Sequence, residues 1–133
     1  MPAKLALNAP CPCCSGEPYG ICCAPFLNAA ALPETAEALM RSRYTAFTQA
    51  KMTYLIDTQA LPVSERFDRV DAKRWAKACE WQGLEVLTYE TLPESRARVH
   101  FKAYYQLDGR DEVLEENSLF ARLDGRWYYI DKL

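Results

Sequence analysis

The chain has 133 residues, half of them hydrophobic and 26% charged, with a formal net charge of −2. That length accommodates one ordinary domain and a small appendage, and the near-neutral balance leaves no electrostatic footprint for nucleic acid or an anionic membrane surface. No apolar run approaches the ~18–20 residues that span a bilayer, and the amino-terminal stretch lacks the sustained apolar core of a secretory signal, so the expectation is a cytoplasmic protein with reduced thiols.

Residues 1–28 are rich in Cys, Pro and Gly, and five of the six cysteines fall between positions 11 and 23. Such a segment cannot bury a core of its own and needs a staple. Cys11/Cys13 and Cys22/Cys23 form two pairs separated by an eight-residue loop with turn signals at Ser15-Gly16 and Pro18-Tyr19-Gly20. Zinc takes four ligands in a tetrahedron and favours thiolates, and four protein thiolates leave no open position, the mark of a structural site. The expected cofactor is therefore one structural zinc on Cys11, Cys13, Cys22 and Cys23. Competing readings are a disulfide framework, disfavoured by compartment and by the strain of bridging adjacent Cys22 and Cys23; a redox pair in the literal Cys-x-x-Cys of Cys11 and Cys14; and an iron–sulfur cluster, whose usual spacing differs. Whether Cys14 joins the metal stays open at this level. Cys79, alone on a helix-like stretch, reads as a small buried hydrophobe.

A composition shift near Asn28–Pro33 suggests a division into a knuckle at 1–28 and a second domain at 29–133, joined by a short Ala-rich connection and separable in stability. Helical spacing then places Ala36, Leu39, Met40, Tyr44 and Phe47 on one stripe, with Pro33 in the first turn and the end near Gln49. A shorter helix groups Met52, Leu55 and Ile56, Pro62-Val63-Ser64 breaks the pattern, and a third helix begins at about Asp71 as N-cap. After Gly83 the period becomes two. Leu84, Val86 and Thr88 share one face, Pro93-Glu94-Ser95 turns the chain, and Val99, Phe101, Ala103, Tyr105 and Leu107 share a face of the next strand. Asp108-Gly109 and Asp124-Gly125 are hairpin signals flanking a strand at roughly 112–123 and a last one at Trp127–Asp131. Helices first and an antiparallel meander afterwards predict an α+β fold.

The pattern Cys11-Pro-Cys13-x-Ser15-Gly16, Tyr19, Cys22-Cys23 resembles the SEC-C metal-binding motif at the carboxyl end of the SecA translocase motor. Leu39-Met40-Arg41-Ser42-Arg43-Tyr44-x-Ala46-Phe47, Tyr54-Leu55-Ile56-x-Thr58, Trp81-x-Gly83-Leu84, Glu116-x-Ser118-x-Phe120 and Gly125-x-Trp127-Tyr128-Tyr129-Ile130-Asp131 resemble the YchJ family, in order and over nearly the whole chain. The resemblance implies a bacterial protein. It also implies a cone-shaped domain like that of nuclear transport factor two, with amino-terminal helices on a curved antiparallel sheet, behind the zinc knuckle. It implies a fold and a metal rather than a reaction. This sequence departs from the pattern at Cys14, where SEC-C motifs commonly carry Gly, and at Glu17-Pro18, where the SecA motif has lysines that meet an acidic chaperone. It also stops without the second, carboxyl-terminal SEC-C copy of longer relatives.

In a cone fold the sheet and first helices enclose a cavity, and the residues expected there are Arg43, Tyr44, Glu116, Ser118 and Asp131, with Arg41 a further candidate. A buried guanidinium needs a carboxylate or an anionic ligand, and Glu116 is the expected partner of Arg43. His100, on the polar register of its strand, reads as exposed rather than catalytic, and Trp75, Trp81, Trp127 and Tyr128-Tyr129 as core and rim. The functional expectation is a non-enzymatic binding or adaptor protein. Its knuckle would meet a protein partner, and its cavity would hold a small anionic molecule or a peptide; neither nucleic acid nor membrane is expected as a partner. The rival is a cavity enzyme of the isomerase or dehydratase type with Glu116 or Asp131 as base.

Overall fold

A computed structural model describes residues 5–60 and 63–133. A 3-10 turn, Tyr19–Ile21, leads into α1, Ala24–Leu27. Four further helical segments follow: α2 (Ala36–Thr48), α3 (Met52–Asp57), α4 (Val63–Arg66) and α5 (Arg69–Ala78). Strands β1 (Glu80–Leu92), β2 (Arg96–Leu107), β3 (Arg110–Leu123) and β4 (Arg126–Lys132) then make one antiparallel sheet in the order β1-β2-β3-β4. Both Asp-Gly turns hold two successive residues in the left-handed region, Asp108-Gly109 at φ 53° and 76° and Asp124-Gly125 at φ 51° and 78°. That geometry matches the twist of the strands they join.

Several boundaries differ from the sequence expectation. Pro33 lies ahead of α2, which starts at Ala36 because the Thr35 hydroxyl oxygen accepts the Ala38 N–H at 3.0 Å. Helix α5 likewise starts earlier than expected, since Asp68 rather than Asp71 is its cap, accepting the Asp71 N–H at 2.9 Å. The break expected at Pro62 lies outside the described residues, and Val63–Arg66 forms a single helical turn. Strand β1 begins at Glu80, before Gly83, because a bulge between Trp81 and Gly83 lets pairing continue past the glycine. A second register shift between Val86 and Thr88 moves Thr88 opposite His100 and Tyr89 opposite Val99. One inserted residue exchanges the two faces of a strand, so Tyr89, not Thr88, continues the face begun by Leu84 and Val86.

The core does not stop at residue 28. Cys11, Cys13 and Cys23 belong to the same buried cluster as Leu39, Met40 and Tyr44 of α2 and Leu84, Val99, Phe101 and Phe120 of the sheet. A smaller cluster of Ala46, Met52, Leu55 and Ala76 joins α2, α3 and α5. The knuckle, expected to be separable in stability, thus packs its cysteines into the same core as the second segment. The stretch after α3 is tied to the last strand by a short parallel bridge, in which Tyr129 donates its N–H to the Thr58 carbonyl (2.8 Å) and Ala60 donates to the Tyr129 carbonyl (2.9 Å). This bridge places Thr58 and Gln59 beside the middle of α2.

Because Thr35 alone caps α2 by its side chain, Thr35→Ala should lower unfolding free energy by about 1 kcal/mol in urea denaturation, while Thr35→Ser should cost little.

Candidate metal centre and cavity

The knuckle is a tight loop held by backbone bonds. Cys11 donates its N–H to the Glu17 carbonyl (3.0 Å), Tyr19 to that of Ala9 (2.8 Å) and Gly20 to that of Leu7 (2.7 Å). A Cβ at Gly20 would lie 2.9 Å from the Leu7 oxygen, so only glycine permits this closure. Cys14 stands at φ 63°, the left-handed region in which a glycine is ordinarily placed. Its exposed thiol points away from the other four, toward β1, and accepts the Leu84 N–H at 3.4 Å.

The Sγ atoms of Cys11, Cys13, Cys22 and Cys23 all lie within 4.8 Å of one another. Cys13 and Cys22 are 3.6 Å apart, and Cys22 and Cys23 are 3.9 Å apart. Four thiolates at ~2.3 Å from one ion in a tetrahedron would stand about 3.8 Å from each other, so the residues present fit a tetrahedral metal site. Four thiols so close cannot all ionise without a cation. Hydrogen bonds from the Cys13 and Cys23 thiols hold Cys11 far below the usual range, toward about 2, whereas burial pushes Cys22 up to about 11. Sequence reasoning missed the groups around the cluster. The Ser15 hydroxyl lies 3.1 Å from the Cys22 sulfur, Thr45 of α2 donates to the Cys23 sulfur at 3.4 Å, and Arg41 donates to the Cys13 carbonyl at 2.7 Å while pairing with Glu37 at 3.0 Å. Arg41 is thus turned to the knuckle, not to the cavity. The only signal was its i,i+4 spacing from Thr45, which puts both on one helix face.

The opposite face of α2 supplies Met40, Arg43, Tyr44 and Phe47 to a cavity of about 330 Å³ between the helices and the sheet. Glu116, Ser118 and Asp131 also line it, so all five residues expected there reach one space. Their pairing differs from expectation. Arg43, 7% exposed, donates to the Leu55 carbonyl (2.9 Å), the Thr58 hydroxyl (2.7 Å) and Gln59 Oε1 (3.0 Å), and its guanidinium lies 4.7 Å from the centre of the Tyr129 ring. Glu116 makes no ion pair with it. Its carboxylate accepts from the Ser118 hydroxyl and from the Tyr129 hydroxyl (3.2 Å) instead. Tyr129 therefore stands between the two charges, ring to the cation and hydroxyl to the anion. Burial lowers the Arg43 pKa to about 10, with Tyr129, Tyr54 and Glu116 opposing that shift, and burial raises that of Tyr129.

Asp131 sits at the rim, paired with Arg66 at 3.2 Å. Trp75 and Trp81, expected as core and rim, form an aromatic wall with Phe47, the two indoles meeting edge to face at 5.2 Å. His100 bonds to Glu115 at 2.7 Å and is not among the residues lining the cavity. Cys79 is buried, 7% exposed, and its burial raises the thiol pKa. Gln59 carried no signal and Thr58 appeared only within the family resemblance, because only the α3–β4 bridge brings them to Arg43.

Removing one partner of a direct buried ion pair costs about 3–5 kcal/mol. With Tyr129 interposed, Glu116→Gln should cost less than about 1 kcal/mol, and the coupling between Arg43→Met and Glu116→Gln in a double-mutant cycle should stay below about 1 kcal/mol. Arg43→Met alone should be the severe change, because it strands the acceptors at Leu55, Thr58 and Gln59.

Comparison with known proteins agrees with both halves of this geometry. The family model described as the SEC-C motif matches residues 8–25, and that described as YchJ, middle NTF2-like domain, matches residues 35–132. A UPF0225 protein of Actinobacillus succinogenes is 36% identical over 126 residues, covering 94% of this chain and 82% of the relative. One from Ralstonia nicotianae is 40% identical over 134 residues, covering 95% and 92%. The solution structure of a SEC-C motif containing protein from Rhodopseudomonas palustris superposes with a TM-score of 0.86 at 31% identity, covering 94% of this chain and 98% of that one. The crystal structure of a SEC-C motif containing protein from Psychrobacter arcticus gives 0.84 at 29%, covering 94% and 82%. With a four-cysteine cluster under the SEC-C match and helices on an antiparallel sheet under the NTF2-like match, the chain belongs to the YchJ family, whose relatives here carry the name UPF0225.

Proposed function

We propose that this chain is a zinc-stabilised binding protein, with a structural four-cysteine knuckle and a ligand-holding cavity, rather than an enzyme. The observation that carries the reading is the sulfur spacing of 3.6 and 3.9 Å, which matches the edge of one tetrahedron. A soft, all-thiolate tetrahedron suits zinc. An iron–sulfur cluster would need room among the thiolates for its own irons and sulfides, and a redox pair of Cys11 with Cys14 would need their sulfurs to face one another. With every tetrahedral position taken by cysteine, the ion would have no coordination site for substrate and would act by fixing structure.

What it would fix is the cavity wall. Arg41 and Thr45 hold the knuckle to one face of α2 while Arg43, Tyr44 and Phe47 line the cavity from the other. In this reading residues 1–28 are the metal unit and 29–133 the cavity unit, coupled through their common core. The exposed apolar side chains Leu7 and Ile21, 67% and 72% exposed, would give the knuckle a face for a protein partner in the cytoplasm. A cavity enzyme would require a carboxylate free to take a proton. Glu116 already accepts two hydrogen bonds and Asp131 is paired with Arg66, so binding is the better supported use.

Elemental analysis of protein purified without added metal should find one zinc per chain. Chelation should abolish secondary and tertiary circular-dichroism signals in a single coincident transition, because the ligands are core residues. Iron, less than half an equivalent of metal, or a sheet that survives chelation intact would refute this.

A further inference from the structure

Gln59 holds the one feature of the cavity that its protein neighbours do not explain. Its side chain lines the cavity and is only 8% exposed, yet among the described residues Nε2 has no hydrogen-bond partner. Reversing the amide would not help. Oε1 accepts from Arg43 at 3.0 Å, and turning the amide would set its donors against those of the guanidinium. The unmet group is therefore a donor, and a buried donor without an acceptor is costly. Beside it lies a buried cation whose hydrogen-bond acceptors are all neutral: a carbonyl, a hydroxyl and an amide oxygen.

The charges on the wall point the same way. Arg43 and Lys132 are balanced in number by Glu116 and Asp131, but Asp131 pairs with Arg66 at the rim and no carboxylate bonds to Arg43. Glu116 is held by Ser118 and Tyr129 and does not reach Arg43. The remaining surface is aromatic and apolar, from Phe47, Trp75, Trp81 and Phe101. At about 330 Å³ the cavity is at the small end of ligand sites, which run from ~300 to ~1,000 Å³.

We infer that the cavity takes a small monocarboxylate with a flat apolar body, its head accepting from Gln59 Nε2 beside Arg43 and its body against Phe47, Trp75 and Trp81. The inference rests on the binding reading above and adds the ligand's chemical class and the specificity role of Gln59. Neither a cation nor a neutral amide of the same shape meets this site equally: the first is repelled by Arg43, and the second leaves the guanidinium with neutral acceptors only.

The test uses the full zinc-loaded chain, labelled with nitrogen-15 and titrated with phenylacetate, phenylacetamide and phenethylammonium as matched probes. Phenylacetate should shift the Gln59 side-chain amide and the Trp75 and Trp81 indole resonances and raise the melting temperature, with affinity about tenfold or more above either analogue. Gln59→Glu should melt no lower than the parent, because its carboxylate meets Arg43 directly, and should weaken phenylacetate by about tenfold or more. Equal binding of phenethylammonium or phenylacetamide, or undiminished phenylacetate binding by Gln59→Glu, would overturn the carboxylate assignment while leaving a ligand-holding cavity in place. Silence from all three probes at millimolar concentration would overturn the assignment and the binding reading together.

Discussion

The structure depends on the enclosure of α2. Eight of its 13 residues are buried, among them Ser42, Arg43 and Thr45. A helix with one wet face can leave its polar groups to solvent, but a helix covered on several sides must find a partner for each. Those partners organise the molecule. Thr45 reaches the thiol cluster, Ser42 shares a hydrogen bond of 2.6 Å with the Tyr54 hydroxyl, and Arg43 gathers the end of α3 around its guanidinium.

Seen from α2, the knuckle is part of the wall rather than an attachment. Its sulfurs fill space that apolar side chains would otherwise occupy, and Arg41 ties its backbone to the helix. Cysteine thiols are acceptable core groups, but four of them within 4.8 Å of one another cannot all shed their protons without a charge conflict. A divalent cation bound among them would offset much of that charge as it replaced the thiol protons. In the proposed reading this couples metal retention to the stability of the whole chain.

The cavity side shows a different solution to buried charge. Arg43 is solvated by three neutral oxygens and a tyrosine ring, and Glu116 by two hydroxyls, with Tyr129 belonging to both sets. Direct ion pairs in a dry interior gain little over their desolvation cost. Separating the charges by an aromatic side chain keeps each one hydrogen-bonded and leaves the guanidinium's neighbourhood open to a further acceptor. The two faces of one helix thus carry the two halves of the functional proposal, a closed metal site and a cavity with an unmet donor.

Much of this was legible in the residues, for reasons that are local. The stripe Leu39, Met40, Tyr44 and Phe47 declares a helix by its period, the Asp-Gly pairs declare hairpins because they tolerate positive φ, and two cysteine pairs around a turn-rich loop declare a tetrahedral cluster. Arg43, Tyr44, Glu116, Ser118 and Asp131 could be named because the family resemblance implied a cone fold with a cavity, to which helix and strand periods then assign faces. Partner choice could not be read that way. That Arg43 takes Gln59 instead of Glu116 and that Arg41 turns to Cys13 follow from where α3, the knuckle and β4 meet α2 in space, and the bulge at residue 87 that exchanges Thr88 for Tyr89 belongs to the pairing of β1 with β2. Sequence determines which groups must be satisfied, because polarity and period are properties of each segment. Only the tertiary packing decides which group satisfies which, because that depends on distances between segments far apart along the chain.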